Sequence, residues 1–253
     1  MHPEIINSLA LIKKAAALTN CELGVLNQKQ ADAIIKACDE ILAGNLRDDF
    51  IVDPIHGGAG TSLNMNANEV IANRAIEILG GHKGDYAMIN PNDHVNYAQS
   101  TNDVIPTAGK ITSLKLLNKL KAELLRLHQA LLDKAKEFDH IIKMGRTQMQ
   151  DAVPIRLGQE FAAYASAIMR DIRRMDVAME EMQVINMGGT AIGTGINADT
   201  RYLSLIVPNL SKVSDMPFEQ ADNLIDATQN LDSFVAVSGA IKSYAVTLSK
   251  IAN

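Results

Sequence analysis

The chain has 253 residues, of which 47% are apolar and 21% are charged, a composition typical of a globular protein. A formal net charge of −5 argues against nucleic acid or an anionic membrane as the main partner, but it leaves anionic small molecules open. No apolar run reaches membrane-spanning length, and Cys21 and Cys38 both lie in apolar helical patterns. We therefore expect buried free thiols and a cytoplasmic protein.

The first hundred residues predict amphipathic helices separated by loops. Residues 5–19 and 27–42 place apolar side chains at helical spacing, and a further helix is expected from near Ser62 to Leu79. A polar loop should follow as far as Asp103. Period-two alternation, which marks half-buried strands, is almost absent along the chain.

The second half predicts long helices with narrow apolar seams, as in helical bundles. One seam runs beyond Pro106 to Leu131, and a second follows Pro154, which is expected in a first helical turn. A third pattern starts near Leu231 and is still helical at Lys250. Aromatic residues are scarce and methionine is abundant, which favours helices packed on helices. The predicted fold class is all-α.

Both ends of the sequence look unfinished. Met1 and His2 lead almost directly into a helical pattern, and Asn253 ends the chain without a glycine cap or a closing loop. We therefore expect a piece of a longer protein, incomplete at both ends.

Two polar blocks in the first half carry candidate binding groups. GGAGTSLNMNAN (57–68) joins glycines, which let a backbone approach a ligand, to Thr61 and Ser62, which are expected to cap a helix. A plain cap after a loop explains this block equally well. NPNDHVNYAQSTNDVIPT (90–107) holds three adjacent short side chains that can surround one carboxylate: Ser100, Thr101 and Asn102.

Two further blocks lie in the second half. GRTQMQDAVP (145–154) sets Thr147 and Gln148 just before a long apolar helix, and it is expected to be a loop. Such a loop can bind a carboxylate because free backbone N–H groups gather at helix starts. GGTAIGTG (188–195) offers backbone donors and two threonines, although taken alone it is more often a helix break.

The four blocks share neutral donors and few charges. The six histidines lack the spacing of a helical metal site, and no nucleophile elbow or Cys–His pair occurs, so neither a metal nor a cofactor is expected. Donors placed in advance stabilise a carboxylate most when its charge rises. Removing a proton from the carbon next to a carboxylate creates that charge.

Together and in this order, GGAGTSLNMNANEVIANRA, NDHVNYAQSTND, GRTQMQDAVPIRLGQE and GGTAIGTG resemble the signatures of the aspartase/fumarase superfamily of lyases. The resemblance covers essentially the whole chain. It implies an N-terminal helical domain (residues 1–102, its start missing) and a central bundle of long helices (residues 103–253), with the C-terminal part missing. It also implies a homotetramer whose active sites are each lined by three subunits.

The resemblance further implies anti-elimination from a four-carbon dicarboxylate through an aci-carboxylate intermediate, giving fumarate. Carried over by position, Thr61 contacts the substrate, and Ser100, Thr101 and Asn102 bind carboxylate and stabilise the intermediate. Thr147 also binds substrate, with Gln148 beside it. The family's base is a serine on a mobile loop, which is expected beyond Asn253, so no catalytic residue is assigned in this chain and the chain alone is expected to be inactive.

Position 148 separates the branches of the superfamily. Fumarate hydratases carry histidine there, whereas aspartate ammonia-lyases can carry glutamine, which does not titrate near neutral pH. The resemblance therefore favours ammonia release from L-aspartate over malate dehydration. Fumarate hydratase and a non-catalytic helical assembly module remain alternatives. Some relatives are activated by divalent cations, but the sequence contains no ligand set for one.

Overall fold

The computed structural model describes residues 1–53, 55 and 58–253, and these are predominantly α-helical, which confirms the predicted class. They form two compact units. Unit 1 is Met1–Ser113 with Gln183–Leu231, and unit 2 is Leu114–Met182 with Asp232–Asn253. The domain boundary expected between residues 102 and 103 stays a prediction. No helix in the described ranges is long and apolar enough to cross a membrane.

The elements follow one another along the chain with two small sheets among the helices. The helices are α1 (Pro3–Glu22), α2 (Gln28–Leu42), α3 (Thr61–Ile78), α4 (Thr101–Glu137), α5 (Leu157–Met182), α6 (Thr200–Ser214), α7 (Leu224–Gln229) and α8 (Asp232–Ala252). A 3-10 helix spans Arg47–Asp49, and a π-helix spans Pro91–Val95. The strands are β1 (Ile142–Thr147), β2 (Gln150–Arg156), β3 (Val184–Ile185) and β4 (Glu219–Gln220).

Unit 1 is built around α1, which packs against α2 and α6. The core contains fully buried aliphatic side chains, each stabilising the fold by about 1.5–3 kcal/mol: Leu9, Ile12, Ile34 and Ile206. The helix predicted from residue 27 begins as expected, because Asn27 and Gln30 form a reciprocal capping box. This cap fixes where α2 starts.

The two cysteines are free thiols in α1 and α2. Cys38 is buried as predicted, and burial raises the pKa of its thiol to about 12. Cys21 is only half-buried, so the expectation of burial is wrong for that residue.

Unit 2 contains the contact between α5 and α8, which pack along their length. The predicted seams are buried where they meet neighbouring helices, at Leu124 on α4, Ile168 and Met175 on α5, and Val237 on α8. The apolar spacing that predicted these helices is therefore the spacing that packs them.

The block at residues 145–154 is a β-hairpin rather than the expected loop. β1 and β2 pair antiparallel, with Thr147 opposite Gln150, and the two residues of the tip both have positive φ. That backbone matches a tight two-residue hairpin turn. Pro154 pairs with Met144 in the ribbon and lies before α5, so its expected place in a helical turn is also wrong. A two-stranded ribbon has free edges, which tolerate proline.

Candidate functional site

The turn at residues 100–102 is held by a capping box at the start of α4. Oγ of Ser100 accepts a hydrogen bond from the backbone N–H of Asn102 at 3.2 Å. In return, Oδ1 of Asp103 accepts one from the backbone N–H of Ser100 at 2.9 Å. These bonds satisfy N–H groups that a first helical turn leaves without partners. The backbone that carries Ser100, Thr101 and Asn102 is therefore fixed at the start of α4.

The glycine-rich segment, residues 188–195, folds against this turn. Nδ2 of Asn102 donates to the carbonyl of Ala191 at 2.6 Å. Oδ2 of Asp103 accepts from the backbone N–H groups of Gly188 at 3.2 Å and Thr190 at 3.1 Å. The structure therefore brings together two of the predicted blocks that are 85 residues apart between Asp103 and Gly188.

Close packing explains part of the glycine content of that segment. Gly193 has a φ of +87°, and a Cβ atom there would lie 2.4 Å from Cα of Ile225. A backbone atom cannot move aside as a flexible side chain can, so only glycine fits at this position. Glycine lets the segment pass directly over the start of α7.

A cleft of about 260 Å³ opens between the turn and the glycine-rich segment. Three of its lining residues, Ala98, Thr190 and Asn197, have positive φ although they are not glycine. Such a backbone typically costs on the order of 1 kcal/mol per residue, and this kind of strain gathers at functional sites. The lining residues are Ala98, Gln99, Ser100, Thr190, Ala191, Ile196 and Asn197.

The hydroxyl groups of Ser100 and Thr101 both act as acceptors inside the protein. Oγ of Ser100 accepts from Asn102, and Oγ1 of Thr101 accepts from Nδ2 of Asn64 at 3.3 Å. A hydroxyl that accepts in this way keeps its own proton for another acceptor. Each hydroxyl group therefore has a proton to donate, and the binding of a carboxylate by these two side chains stays a prediction.

The start of α3 lies beside the first turns of α4. Thr61 is the first residue of α3 and is exposed, and the cap position belongs to Gly60 with a φ of +87°, so the expected cap at Thr61 and Ser62 is wrong. A Cβ atom on Gly60 would lie 2.9 Å from Cγ1 of Ile105. Gly57, the first residue of that block, lies outside the described residues.

A buried lysine lies behind the polar loop that leads to the turn. Lys13 on α1 has no exposed surface, and its Nζ donates to Oδ1 of Asn96 at 2.7 Å and to Oε1 of Gln99 at 3.0 Å. Burial lowers the pKa of this ammonium to about 7, although the nearby charge of Asp103 opposes the shift. In the sequence, the feature that could have pointed to Lys13 is its place on α1 among buried apolar residues such as Ile12 and Ala16.

Asp103 is the second buried ionisable group here. Burial raises the pKa of its carboxyl to about 6, while the three backbone hydrogen bonds and Lys13 act in the opposite direction. The sequence reasoning assigned it no role. In the sequence, the feature that could have pointed to Asp103 is its position three residues after Ser100, because a capping box has an acidic or amide side chain at that spacing.

Thr147 and Gln148 lie in unit 2, in the β1–β2 hairpin. Both side chains are exposed, and Gln148 has a φ of 49° at the hairpin tip. The hydrogen bonds that assemble the cleft of unit 1 do not include them. Their part in the same site stays a prediction.

In the part of the chain that the structure describes, no group of three His, Cys, Asp or Glu side chains lies close enough together to hold a metal ion.

The described residues thus form a helical fold with a cleft at the start of α4 that is lined by hydrogen-bond donors. A model of the lyase family matches residues 1–253, and the chain belongs to that family. This confirms the family resemblance noted in the sequence.

Curated relatives make the comparison more specific. The chain is 54% identical over 253 residues to an aspartate ammonia-lyase of Bacillus subtilis, covering 100% of this chain and 53% of the relative. It is 46% identical over 252 residues to an aspartate ammonia-lyase of Escherichia coli, covering 99% of this chain and 53% of the relative. The chain thus spans about half the length of the curated relatives it matches.

Solved structures share the backbone closely. A fumarate lyase:delta crystallin from Brucella melitensis bound to cobalt matches with a TM-score of 0.97 and 48% identity, over 99% of this chain and 55% of that one. A class II fumarase from Schistosoma mansoni matches with a TM-score of 0.95 and 34% identity, over 99% and 56%.

Proposed function

We propose that this chain forms part of an aspartate ammonia-lyase, which eliminates ammonia from L-aspartate to give fumarate. The observation that carries the proposal is the pair of hydroxyl groups, on Ser100 and Thr101, whose acceptor sides are occupied by protein N–H groups. Relatives named aspartate ammonia-lyase, which are 46% to 54% identical over essentially the whole chain, support the same activity.

In this proposal the 100–102 turn grips one substrate carboxylate. Ser100 and Thr101 donate hydrogen bonds from their hydroxyl groups to that carboxylate. Asn102 donates one side-chain N–H to the carbonyl of Ala191 and has a second N–H for the substrate. Thr61 joins from the neighbouring start of α3. We also propose that Thr147 and Gln148 bind substrate.

Neutral donors suit the chemistry of this elimination. When the proton next to a carboxylate is removed, the electron pair moves onto that carboxylate and forms an aci-carboxylate before ammonia leaves. Donors fixed beforehand stabilise this more negative state more than they stabilise the substrate, and so lower the barrier. The 100–102 turn is fixed in this sense by its capping box.

The base that removes the proton is not assigned to this chain. The family resemblance implies a serine on a mobile loop, and the relatives are about twice as long as this sequence. We therefore propose that these 253 residues supply binding groups and that the base comes from elsewhere in the complete protein.

Gln148 bears on the choice of substrate. A primary amide does not change protonation near neutral pH, so this position does not transfer a proton in the proposed reaction. Fumarate hydratase is the second candidate, because a class II fumarase shares the fold with a TM-score of 0.95. Its lower identity, 34% against 54% for an aspartate ammonia-lyase, makes it the weaker of the two.

The assembly and location belong to the same proposal. A homotetramer is consistent with apolar side chains that α4, α5 and α8 leave exposed, such as Leu125, Val177 and Val246. A cytoplasmic location is consistent with the free thiols. Light scattering of the protein made from the complete gene measures the oligomeric state directly.

The test of function is an assay of the protein made from the complete gene with L-aspartate and, separately, L-malate. Fumarate has a strong ultraviolet absorbance, so both reactions have the same readout. We expect fumarate and ammonia from L-aspartate. Turnover of L-malate without turnover of L-aspartate would contradict the proposal. The 253-residue chain alone should release no ammonia.

A further inference from the structure

Asp103 is a buried carboxylate that holds the two walls of the cleft at once. Its Oδ1 accepts from the N–H of Ser100 at 2.9 Å, and its Oδ2 accepts from the N–H groups of Gly188 at 3.2 Å and Thr190 at 3.1 Å. The side chain has no exposed surface, so it lies behind the cleft rather than in it.

Two of the three bonded backbone groups, those of Ser100 and Thr190, belong to residues that line the cleft. Ser100 comes from the turn before α4, and Thr190 comes from the glycine-rich segment. One rigid, planar group bonded to both fixes the spacing between them. Thr190 also keeps a positive φ of 56°, a conformation that needs such support.

We infer that Asp103 is a positioning residue, which sets the separation of Ser100 and Thr190 so that the two walls of the cleft meet one substrate carboxylate. This inference rests on the proposed function, since it names the part of that site that holds its geometry. Asp103 itself does not touch the substrate.

Two titratable side chains on other elements face this carboxylate. Lys13 comes from α1, and its charge favours the ionised form of Asp103. Tyr202 comes from α6, and burial raises the pKa of its buried phenol well above 10, so it stays neutral at ordinary pH. Its hydroxyl meets no hydrogen-bond partner among the described residues. Ionised Asp103 therefore relies on the three N–H groups and on Lys13.

An amide cannot replace the carboxylate in this place. All three backbone groups around Asp103 are donors, and the side chain of asparagine has one acceptor and one donor group. In Asp103→Asn, either the N–H of Ser100 or the pair from Gly188 and Thr190 loses its acceptor and faces an N–H₂ group instead. One wall of the cleft is then released.

The first test compares the affinity for succinate, an unreactive dicarboxylate, by calorimetry in the protein made from the complete gene. We expect Asp103→Asn to weaken binding at least tenfold while circular dichroism shows a folded protein. Asp171→Asn is the matched control, because Asp171 is also a buried helical carboxylate, bonded to Arg174 at 2.7 Å and Ser243 at 3.2 Å in unit 2. The control should lower thermal stability and leave succinate affinity within twofold.

The outcomes separate this inference from the proposed function. If the wild-type protein binds succinate and Asp103→Asn binds it equally well, the positioning role is wrong and the proposed function is untouched. If the wild-type protein binds no dicarboxylate, the proposed function fails, and the positioning role fails with it.

A second test needs no substitution, so it holds even where the Asp103→Asn protein does not fold. The amide resonances of Gly188 and Thr190 in the 253-residue chain are followed by NMR from pH 5 to pH 8. We expect both to shift together with the side-chain carboxyl carbon of Asp103 as it takes up its proton, with a midpoint near 6, and Lys13→Met separates this step from the titration of the lysine. Amide resonances that stay constant while the Asp103 carboxyl carbon titrates would overturn the inference.

Discussion

The ammonium group of Lys13 lies 2.7 Å from Oδ1 of Asn96, with no exposed surface on the lysine. The same oxygen also accepts from Nδ2 of Asn64 at 3.3 Å, and that amide group donates in turn to Thr101. Residues from α1, α3 and the loop before α4 therefore meet in one buried polar cluster. The cleft is built on this cluster.

Lys13 should make the stability of the protein depend on pH. Its folded-state pKa, about 7, is below the usual 10.5, so the unfolded state holds the proton more tightly and the free energy of unfolding rises with pH above about 7. Lys13→Met removes this term. The stability of the wild type relative to the variant should grow by about 2 kcal/mol between pH 7 and pH 9, measured by urea unfolding.

Lys14→Met is the control for placing methionine in the same helix, because Lys14 is partly exposed and paired with Asp39. If the stability of the wild type relative to Lys13→Met stays constant or falls over this pH range, burial does not lower the pKa of Lys13.

Ser100→Ala should weaken dicarboxylate binding more than it weakens the fold. The lost hydroxyl removes one donor to a charged group, worth about 1.5–3 kcal/mol, so the dissociation constant for succinate should rise at least tenfold. The lost cap costs about 1 kcal/mol of stability. Calorimetry and thermal unfolding measure the two effects. Ser166→Ala on α5, whose hydroxyl donates to the carbonyl of Ala162, should leave the affinity unchanged.

Gly193→Ala should be far more damaging than Gly80→Ala. The two glycines have nearly the same φ, +87° and +85°, so the backbone strain of an alanine is alike at both positions. At Gly193 the new Cβ meets the backbone of Ile225 at 2.4 Å, whereas at Gly80 it meets nothing within 4 Å. We expect about 1 kcal/mol of destabilisation for Gly80→Ala and several for Gly193→Ala in urea unfolding. Equal losses would argue against the contact with α7.

Met149→Gly should stabilise unit 2. Met149 has a φ of 64° at the hairpin tip and is 91% exposed, so glycine relieves backbone strain and loses almost no packing. The gain should be up to about 1 kcal/mol, reduced by the greater freedom of glycine in the unfolded chain. Met144→Gly within β1 is the control and should destabilise the hairpin. A lower melting temperature for Met149→Gly would speak against the two-residue turn.

The helices were predictable because burial imposes a repeat on the sequence. The courses of α4, α5 and α8 follow from apolar residues three and four apart, since those residues form the packed faces. The start of α2 follows from its capping residues. The hairpin was not predictable from alternation, because nearly all of its residues are exposed and neither strand buries one face. Its turn also lacks the glycine that usually marks such a tip.

The binding side chains were easier to find than the groups that support them. Ser100, Thr101 and Asn102 stand out as adjacent short donors, whereas Asp103 resembles one more polar residue in the same run. Its importance depends on Gly188 and Thr190, which lie far away along the chain. Lys13 is similar, because a lysine in a helix is normally solvated and only tertiary contacts reveal its burial.

The most direct measurement is a crystal structure, with bound succinate, of the protein made from the complete gene. We expect one carboxylate of succinate within hydrogen-bond distance of Oγ of Ser100 and Oγ1 of Thr101, in the cleft beside residues 188–195. Succinate bound with neither hydroxyl in contact, or bound at a different surface, would contradict the central claim that this turn is the carboxylate-binding wall of a lyase site.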